Sequence, residues 1–341
     1  MNDSPLVSII IPAYKVSKYI ESCLNSVINQ SLSSWEAIVI DDHSPENEYE
    51  IVKKIQQEDT RIKLIRHDFN KGLGESRNTG CKYARGKYLF FLDSDDLLPK
   101  DILLNICDLA ESKKLDLIIT DFYAFYDNDP IDINASYPAR AVFSEQFRKV
   151  NEIISWKDMA SDYDLIMPSI FSTTCWGKLF RKELWDDLNC HVPLGLRMAE
   201  DLIPVKKYLF SSHRILAYPM CSILYRQRES SATKKRSMNA YDIIKCYPEA
   251  RKMLSEALSD DSLNDYIERF FVQVFLEHMF TFLPYREWFN FYKQCAPYIS
   301  EMNIDKLQDI FKRISIKGWS NGSIFSFCII ICMYLKRKFN K

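Results

Sequence analysis

An apolar run, Tyr88-Leu-Phe-Phe-Leu92, passes directly into Asp93-Ser-Asp95-Asp96. Such a run fills a buried strand, whereas a cluster of three carboxylates belongs where solvent or a ligand can reach it. In open α/β sheets that place is the carboxyl end of the strands. Two carboxylates one residue apart can share a hard divalent cation, which takes oxygen ligands and keeps positions open for phosphate. The plainer reading of the same residues is an acidic strand-to-helix turn in which Asp96 or a neighbour caps the next helix.

The residues before this junction repeat the pattern. Val7-Ser-Ile-Ile-Ile11 is a short β-branched strand that Pro12 is expected to end. Ser17 is a candidate cap for a helix whose apolar face is Ile20, Leu24, Val27 and Ile28. Glu36–Ile40 is a second strand, with Asp41-Asp42-His43-Ser44 at its carboxyl end, and a helix around Ile51–Ile55 precedes a third strand, Ile62–Ile65. Only eight glycines are present, and Gly72, Gly74, Gly80 and Gly86 fall close together, which marks a place of tight turning or close backbone approach. Segment 70–80 opens a further helix. Alternating strands and helices with carboxylates at strand ends predict a parallel α/β sheet with its site at the carboxyl edge.

Beyond residue 100 the pattern loosens. Leu115–Ile119 is another strand, and residues 120–145 are aromatic and irregular, with an antiparallel excursion as one reading. Asp201 opens a helix, two strands follow at Arg214–Tyr218 and Ser222–Arg226, and from about Asn239 the chain reads as helices. The net charge of −1 argues against a nucleic-acid binder. Ten cysteines without a CxxC pair or zinc spacing read as reduced thiols in a cytosolic protein.

The tail differs from the rest. From Ile310 to Lys341 there is no Asp or Glu but seven Lys or Arg residues. Its apolar run Ile324–Leu335 is shorter than the roughly 20 residues of a bilayer span. Flanked by Lys336-Arg-Lys338 and preceded by Trp319, it suits a helix lying in an anionic membrane interface. A buried helix completing a core or dimer contact is the alternative.

Taken in order, Val7–Tyr14, Ile40–Ser44, Asn70–Gly80 and Phe91–Asp96 resemble the motifs of family 2 glycosyltransferases of the bacterial surface-polysaccharide type. The resemblance resumes more weakly at Trp176–Phe180, Ala199-Glu-Asp201 and Tyr225–Ser231. His43 departs from it, because the family more often has a small residue there. The resemblance implies a GT-A fold, a Rossmann-like α/β architecture, with a helical C-terminal region. It also divides the chain into a nucleotide-sugar half (1–100), an acceptor and catalytic half (101–235) and a helical region with the basic tail (236–341).

Roles follow from the same resemblance. Pro12, Ala13 and Tyr14 would floor the nucleoside. Asp42 would accept the imino hydrogen of uracil, unless it is a helix cap, and Asn70 would approach the base. Arg77 would lie near the diphosphate, unless it is a surface arginine. Asp95 would bind Mn²⁺ or Mg²⁺ directly, with Asp93 at the ribose or around the metal and Ser94 beside the donor. Arg226 or Arg228, at the end of an expected strand, would add charge against the diphosphate, unless both are ordinary surface charge. Asp201 is the expected general base, with Glu200 second, and a helix-start acidic pair as the plain alternative.

The implied reaction is inverting transfer of one hexosyl or N-acetylhexosaminyl group from a UDP-sugar to a hydroxyl of a glycan acceptor. A lipid-linked acceptor in capsule, O-antigen or exopolysaccharide synthesis would suit a protein peripheral on the inner face of the cell membrane. Three rivals are weaker. A dinucleotide oxidoreductase would need glycine where Arg77 stands. A sugar nucleotidyltransferase would need a basic glycine-rich signature where Pro12-Ala-Tyr-Lys15 stands. A non-catalytic interaction protein with this fold would not be expected to keep Asp93, Asp95 and Asp201. The Gln-x-x-Arg-Trp motif of processive synthases is absent, which favours one sugar per encounter.

Overall fold

The computed structural model describes residues 4–137, 152–156, 158, 174–228, 237–257, 274–275 and 283–299. Strands β1 (Val7–Ala13), β2 (Trp35–Asp41), β3 (Ile62–Arg66) and β4 (Tyr88–Phe91) lie in the order β3-β2-β1-β4, all parallel. Helices α1 (Ile20–Ile28), α2 (Glu48–Glu58) and α3 (Leu73–Tyr83) make the crossovers. Alternate residues of β1 serve opposite faces: Ile10 packs with Ile38, Ile40, Leu89 and Phe91, whereas Ile9 and Ile11 pack with Val39, Phe90 and α1. Each of these isoleucines is fully buried, a transfer worth about 1.5–3 kcal/mol apiece.

The second half completes the sheet in a mixed sense. Helix α4 (Ile102–Lys113) leads to β5 (Leu117–Tyr126), followed by β6 (Ile153–Ile154), β7 (Lys178–Arg181), α5 (Lys182–Asp187), α6 (Leu202–Ser211) and β8 (Ile215–Gln227). The sheet order continues β4-β7-β5-β8-β6. β7 is antiparallel to both β4 and β5, so the sheet is parallel through the first four strands, as expected, and mixed beyond them. Four residues are too few to announce a strand by periodicity, and only the groove between β4 and β5 makes one of them. Helices α7 (Asp242–Ala257) and α8 (Trp288–Ile299) add to the same side as α6, with Ile243, Cys246, Tyr247 and Phe291 in its core.

Several local expectations are revised. The two strands expected at 214–226 are one, β8, and its register against β5 slips between Ala217 and Cys221. Pro219 sits in that irregularity, where a residue without an N–H is tolerated. β5 itself extends to Tyr126 and pairs parallel with β8, with its register slipping around Asp121, so the start of the aromatic stretch is strand and is not antiparallel to β8. β1 runs past Pro12 to Ala13, paired with β2 alone, because its pairing with β4 stops at Ile10. Ser17 does not cap α1: its hydroxyl bonds Glu46, and the cap position is Tyr19 without a side-chain bond. Asp96 is no cap either, since α4 begins only after Asp101.

Candidate active site

The carboxyl edge of the sheet gathers most of the expected residues. β1 delivers Pro12 and Ala13, and Tyr14 follows its end, 41% exposed and available as a surface for a flat ligand. β2 delivers Asp41 and Asp42. β4 delivers the acidic turn, closed by a bond from Asp96 N to Asp93 O of 3.0 Å. β8 delivers Arg226 and Arg228 alongside that turn.

The 41–44 turn is built by its own side chains. Asp41 accepts from Ser44 N at 2.9 Å and pairs with Arg66 at 3.1 Å. This bends the chain so that His43 takes φ 58°, left-handed backbone that histidine tolerates better than most side chains. Asp42 is buried, and its carboxylate accepts from His67 Nδ1 (2.7 Å), Lys71 N (2.8 Å) and Gly72 N (2.7 Å). It thus clamps the loop that leads into α3, while Asn70 donates to its carbonyl at 3.1 Å. A contact from Asp42 to a base would have to use the one lone pair this clamp leaves free. His67, which the sequence gave no reason to single out, completes the clamp through Thr79 Oγ1 at 2.9 Å.

The acidic turn is braced by β8. Arg226 N donates to Asp96 Oδ1 at 2.8 Å and Arg226 Nε to the Asp95 carbonyl at 2.8 Å. The Arg228 guanidinium pairs with the Asp95 carboxylate, and both arginines lie over the Tyr19 ring. Burial first, and then the charge of Asp93, push the Asp95 carboxyl above its ordinary range, with Arg228 opposing. Asp96 is pushed up more strongly, by burial and by both neighbours, and its Oδ2 has no partner among the described residues.

Arg77 holds the other side of the site. It lies on α3 behind Gly72, whose φ of 91° turns the chain into the helix. Gly80 lets that helix sit against the sheet, because a Cβ there would stand 2.3 Å from Ile10 Cγ2. The arginine is only 2% exposed, so it is not a surface residue. Its Nη1 donates to Asp201 Oδ1 at 2.5 Å and to Glu200 Oε1 at 3.2 Å, and its Nη2 to Asp93 Oδ1 at 3.1 Å. Asp201 stands at the N-terminus of α6, and its Oδ2 accepts from Cys175 N at 2.9 Å. Burial and then the Asp201 charge raise Glu200 to about 7, with Arg77 pulling the other way.

Lys178 lies behind this group. It is buried, donates to Thr174 O at 2.7 Å, and burial lowers it to about 7. Only the weak Trp176–Phe180 resemblance pointed to it. Ser94 is buried within the acidic turn. The basic apolar tail and most of the 120–173 excursion lie outside the described residues. Among the described residues no helix is long and apolar enough to cross a membrane.

The divalent cation implied by the resemblance can be tested against these residues. No group of three His, Cys, Asp or Glu converges among the described residues. Asp93 and Asp95 nevertheless form an all-oxygen pair at a strand end, each paired with an arginine. Two carboxylates fit a magnesium-like ion, which completes its shell with substrate phosphates and water.

The profile of Glycosyl transferase family 2 matches residues 8–187. The chain is 31% identical over 231 residues to the uncharacterized glycosyltransferase EpsJ of Bacillus subtilis (strain 168), a match spanning 67% of this chain but only 63% of EpsJ. Over 95 residues it is 42% identical to the UDP-Glc:alpha-D-GlcNAc-diphosphoundecaprenol beta-1,3-glucosyltransferase WfgD of Escherichia coli, covering 28% of this chain and 37% of WfgD. In three dimensions it resembles S. aureus TarS 1–349 in complex with UDP-GlcNAc, with a TM-score of 0.65, 19% identity, and coverage of 90% of this chain and 80% of TarS. The fold is GT-A, as the sequence led one to expect.

Proposed function

The chain belongs to the family 2 glycosyl transferases, and on that premise we propose that it transfers one sugar from a UDP-sugar to a hydroxyl of a glycan acceptor, with inversion. The observation that carries this reading is the joining of Asp93, at the end of β4, to Glu200 and Asp201, at the start of α6, through one buried arginine. Two acidic groups with separate tasks, one facing the donor and one facing the acceptor, are what a single displacement requires.

In this reading Tyr14, Ala13 and Pro12 receive the nucleoside, and the Asp42 clamp and Asn70 shape the loop beside it. Asp95 and Asp93 hold Mn²⁺ or Mg²⁺, which when bound stabilises the negative charge developing on the leaving diphosphate. Arg228 and Arg226 stand next to the same carboxylates, where a forked guanidinium can meet phosphate oxygens. Asp201, or Glu200 beside it, receives the acceptor proton as the hydroxyl attacks. A carboxylate suffices because the hydroxyl becomes acidic only as the new bond forms, so placement outweighs basicity. Attack from the face opposite the leaving group converts an α-linked donor into a β-linked product.

WfgD and TarS supply the chemical range. The name of the first specifies a UDP-glucose donor and a diphosphoundecaprenol-linked acceptor, and the second was solved with UDP-GlcNAc. A hexose or N-acetylhexosamine donor and a lipid-linked glycan acceptor in bacterial polysaccharide assembly follow as the proposal for this chain. The basic tail would hold the enzyme on the inner membrane surface. The test is a screen of UDP-, GDP- and dTDP-sugars by nucleotide release, each with Mn²⁺ and with Mg²⁺, using undecaprenyl-diphosphate glycans as acceptors. Acceptor-dependent release of UDP is expected. Release of GDP or dTDP instead, or none from any donor, would refute the assignment.

A further inference from the structure

We propose that Arg77 is a positioning residue for the base rather than a ligand of the donor diphosphate. The proposal rests on the transferase reading above but assigns Arg77 differently from the resemblance. Both hydrogens of Nη1 are taken by Asp201 and Glu200, and Nη2 donates to Asp93. The guanidinium is almost wholly enclosed. Its Nε has no partner among the described residues, but that atom is itself buried. Swinging the group out to a phosphate would mean leaving three carboxylates, and leaving buried charges unpaired is costly.

Those three carboxylates already outnumber its single charge, so it has little attraction left for an incoming dianion. Arg226 and Arg228 are better placed for that task. They are more open, with side chains 11% and 21% exposed, and they flank Asp95 itself.

What Arg77 does hold is geometry. Asp201 is fixed from two directions, by Arg77 on Oδ1 and by Cys175 N on Oδ2, and Asp93 is fixed on the far side of the same guanidinium. One rigid fork therefore sets the spacing between the strand that faces the donor and the helix start that faces the acceptor. A lysine cannot reproduce this, because its three N–H groups leave one nitrogen on a flexible stem, whereas the guanidinium holds two separated nitrogens in one rigid plane.

The experiment uses full-length Arg77→Gln, Arg77→Lys, Asp201→Asn and the Arg77→Gln/Asp201→Asn double variant. UDP binding is titrated by calorimetry with Mn²⁺, and turnover is measured separately. Arg77→Gln should bind UDP within about threefold of wild type while kcat falls about 100-fold, the cost of a misplaced catalytic group. Arg77→Lys should recover part of that loss. The double variant should be no slower than Asp201→Asn alone within about threefold, because residues acting as one unit are not additive.

UDP affinity weakened tenfold or more in Arg77→Gln, or losses that multiply in the double variant, would overturn the proposal. Should Arg77→Gln fail to fold, Arg77→Lys carries both readouts under the same criteria. Calorimetry separates this proposal from the wider one: a wild-type protein that binds UDP but transfers nothing refutes the transferase, whereas weakened UDP binding in the variants refutes the placement of Arg77.

Discussion

Gly80→Ala links the packing of the fold to the site in a single methyl group. An added Cβ would meet Ile10 Cγ2 at 2.3 Å, Ile40 Cδ1 at 3.0 Å and Ile10 Cδ1 at 3.2 Å. Ordinary carbon contact begins near 3.5 Å, so helix or strand must give by about 1 Å. Ile10 and Ile40 are fully buried, and Cγ2 is fixed to the β-carbon, so no flexible chain end is available to move aside. Overpacking of this kind costs about 1–3 kcal/mol. Alanine regains at most about 1 kcal/mol of helix propensity over glycine. A net loss of about 1–2 kcal/mol is expected, which lowers the melting temperature by about 2–8 °C at about 2–4 °C per kcal/mol. The displaced helix is α3, which carries Arg77 one turn earlier, so a shift of that size also loosens the contacts to Asp93 and Glu200. Turnover should therefore fall by about tenfold to 100-fold even well below the melting temperature. Thermal unfolding monitored by circular dichroism and initial rates at 20 °C are the two measurements. A variant as stable and as fast as wild type would show that α3 does not seat against the sheet as closely as described.

Asp95→Asn should keep the fold, since it removes a buried carboxylate that its surroundings disfavour, and yet lose about 10³-fold or more in metal-dependent turnover; normal turnover in the folded variant would refute Asp95 as a metal ligand. Asp201→Asn should retain UDP affinity by calorimetry while transfer falls by about 10²–10⁴, and a parallel loss of binding would move the base to Glu200. Lys178→Met tests a pH effect whose sign is fixed: the folded lysine is lowered to about 7 from 10.5, so it binds fewer protons than in the unfolded chain between those values. Wild-type stability from this group therefore rises as pH climbs from about 7 to 10. The variant should flatten that rise in the unfolding free energy from urea titrations by up to a few kcal/mol, and an unchanged slope would refute the assignment.

Much of the donor side was legible because it is written locally. An apolar run followed by carboxylates is a strand ending at a polar edge wherever it occurs, and two such ends, after β2 and β4, within four successive strand units leave few topologies open. Clustered glycines announced the loop into α3 for a similar reason, since Gly72 needs left-handed backbone and Gly80 needs close packing. The second half was harder to read. β7 is four residues long and owes its existence to the groove between β4 and β5, and β8 conceals its continuity behind Pro219 and a slipped register.

The amino-acid order by itself thus determined the α/β class, the polar edge of the sheet and the identity of the acidic residues placed there. What Asp42, Arg77 and Asp201 do at that edge was decided only in three dimensions. Asp42 is bound by a loop 25–30 residues further on, and Arg77 meets Asp201 across 124 positions of chain. A side chain's periodicity shows which way it faces, but its charge partner depends on which elements the sheet order brings together. That order was set when an antiparallel β7 carried Cys175 to the edge beside β4, where its amide fixes the start of α6.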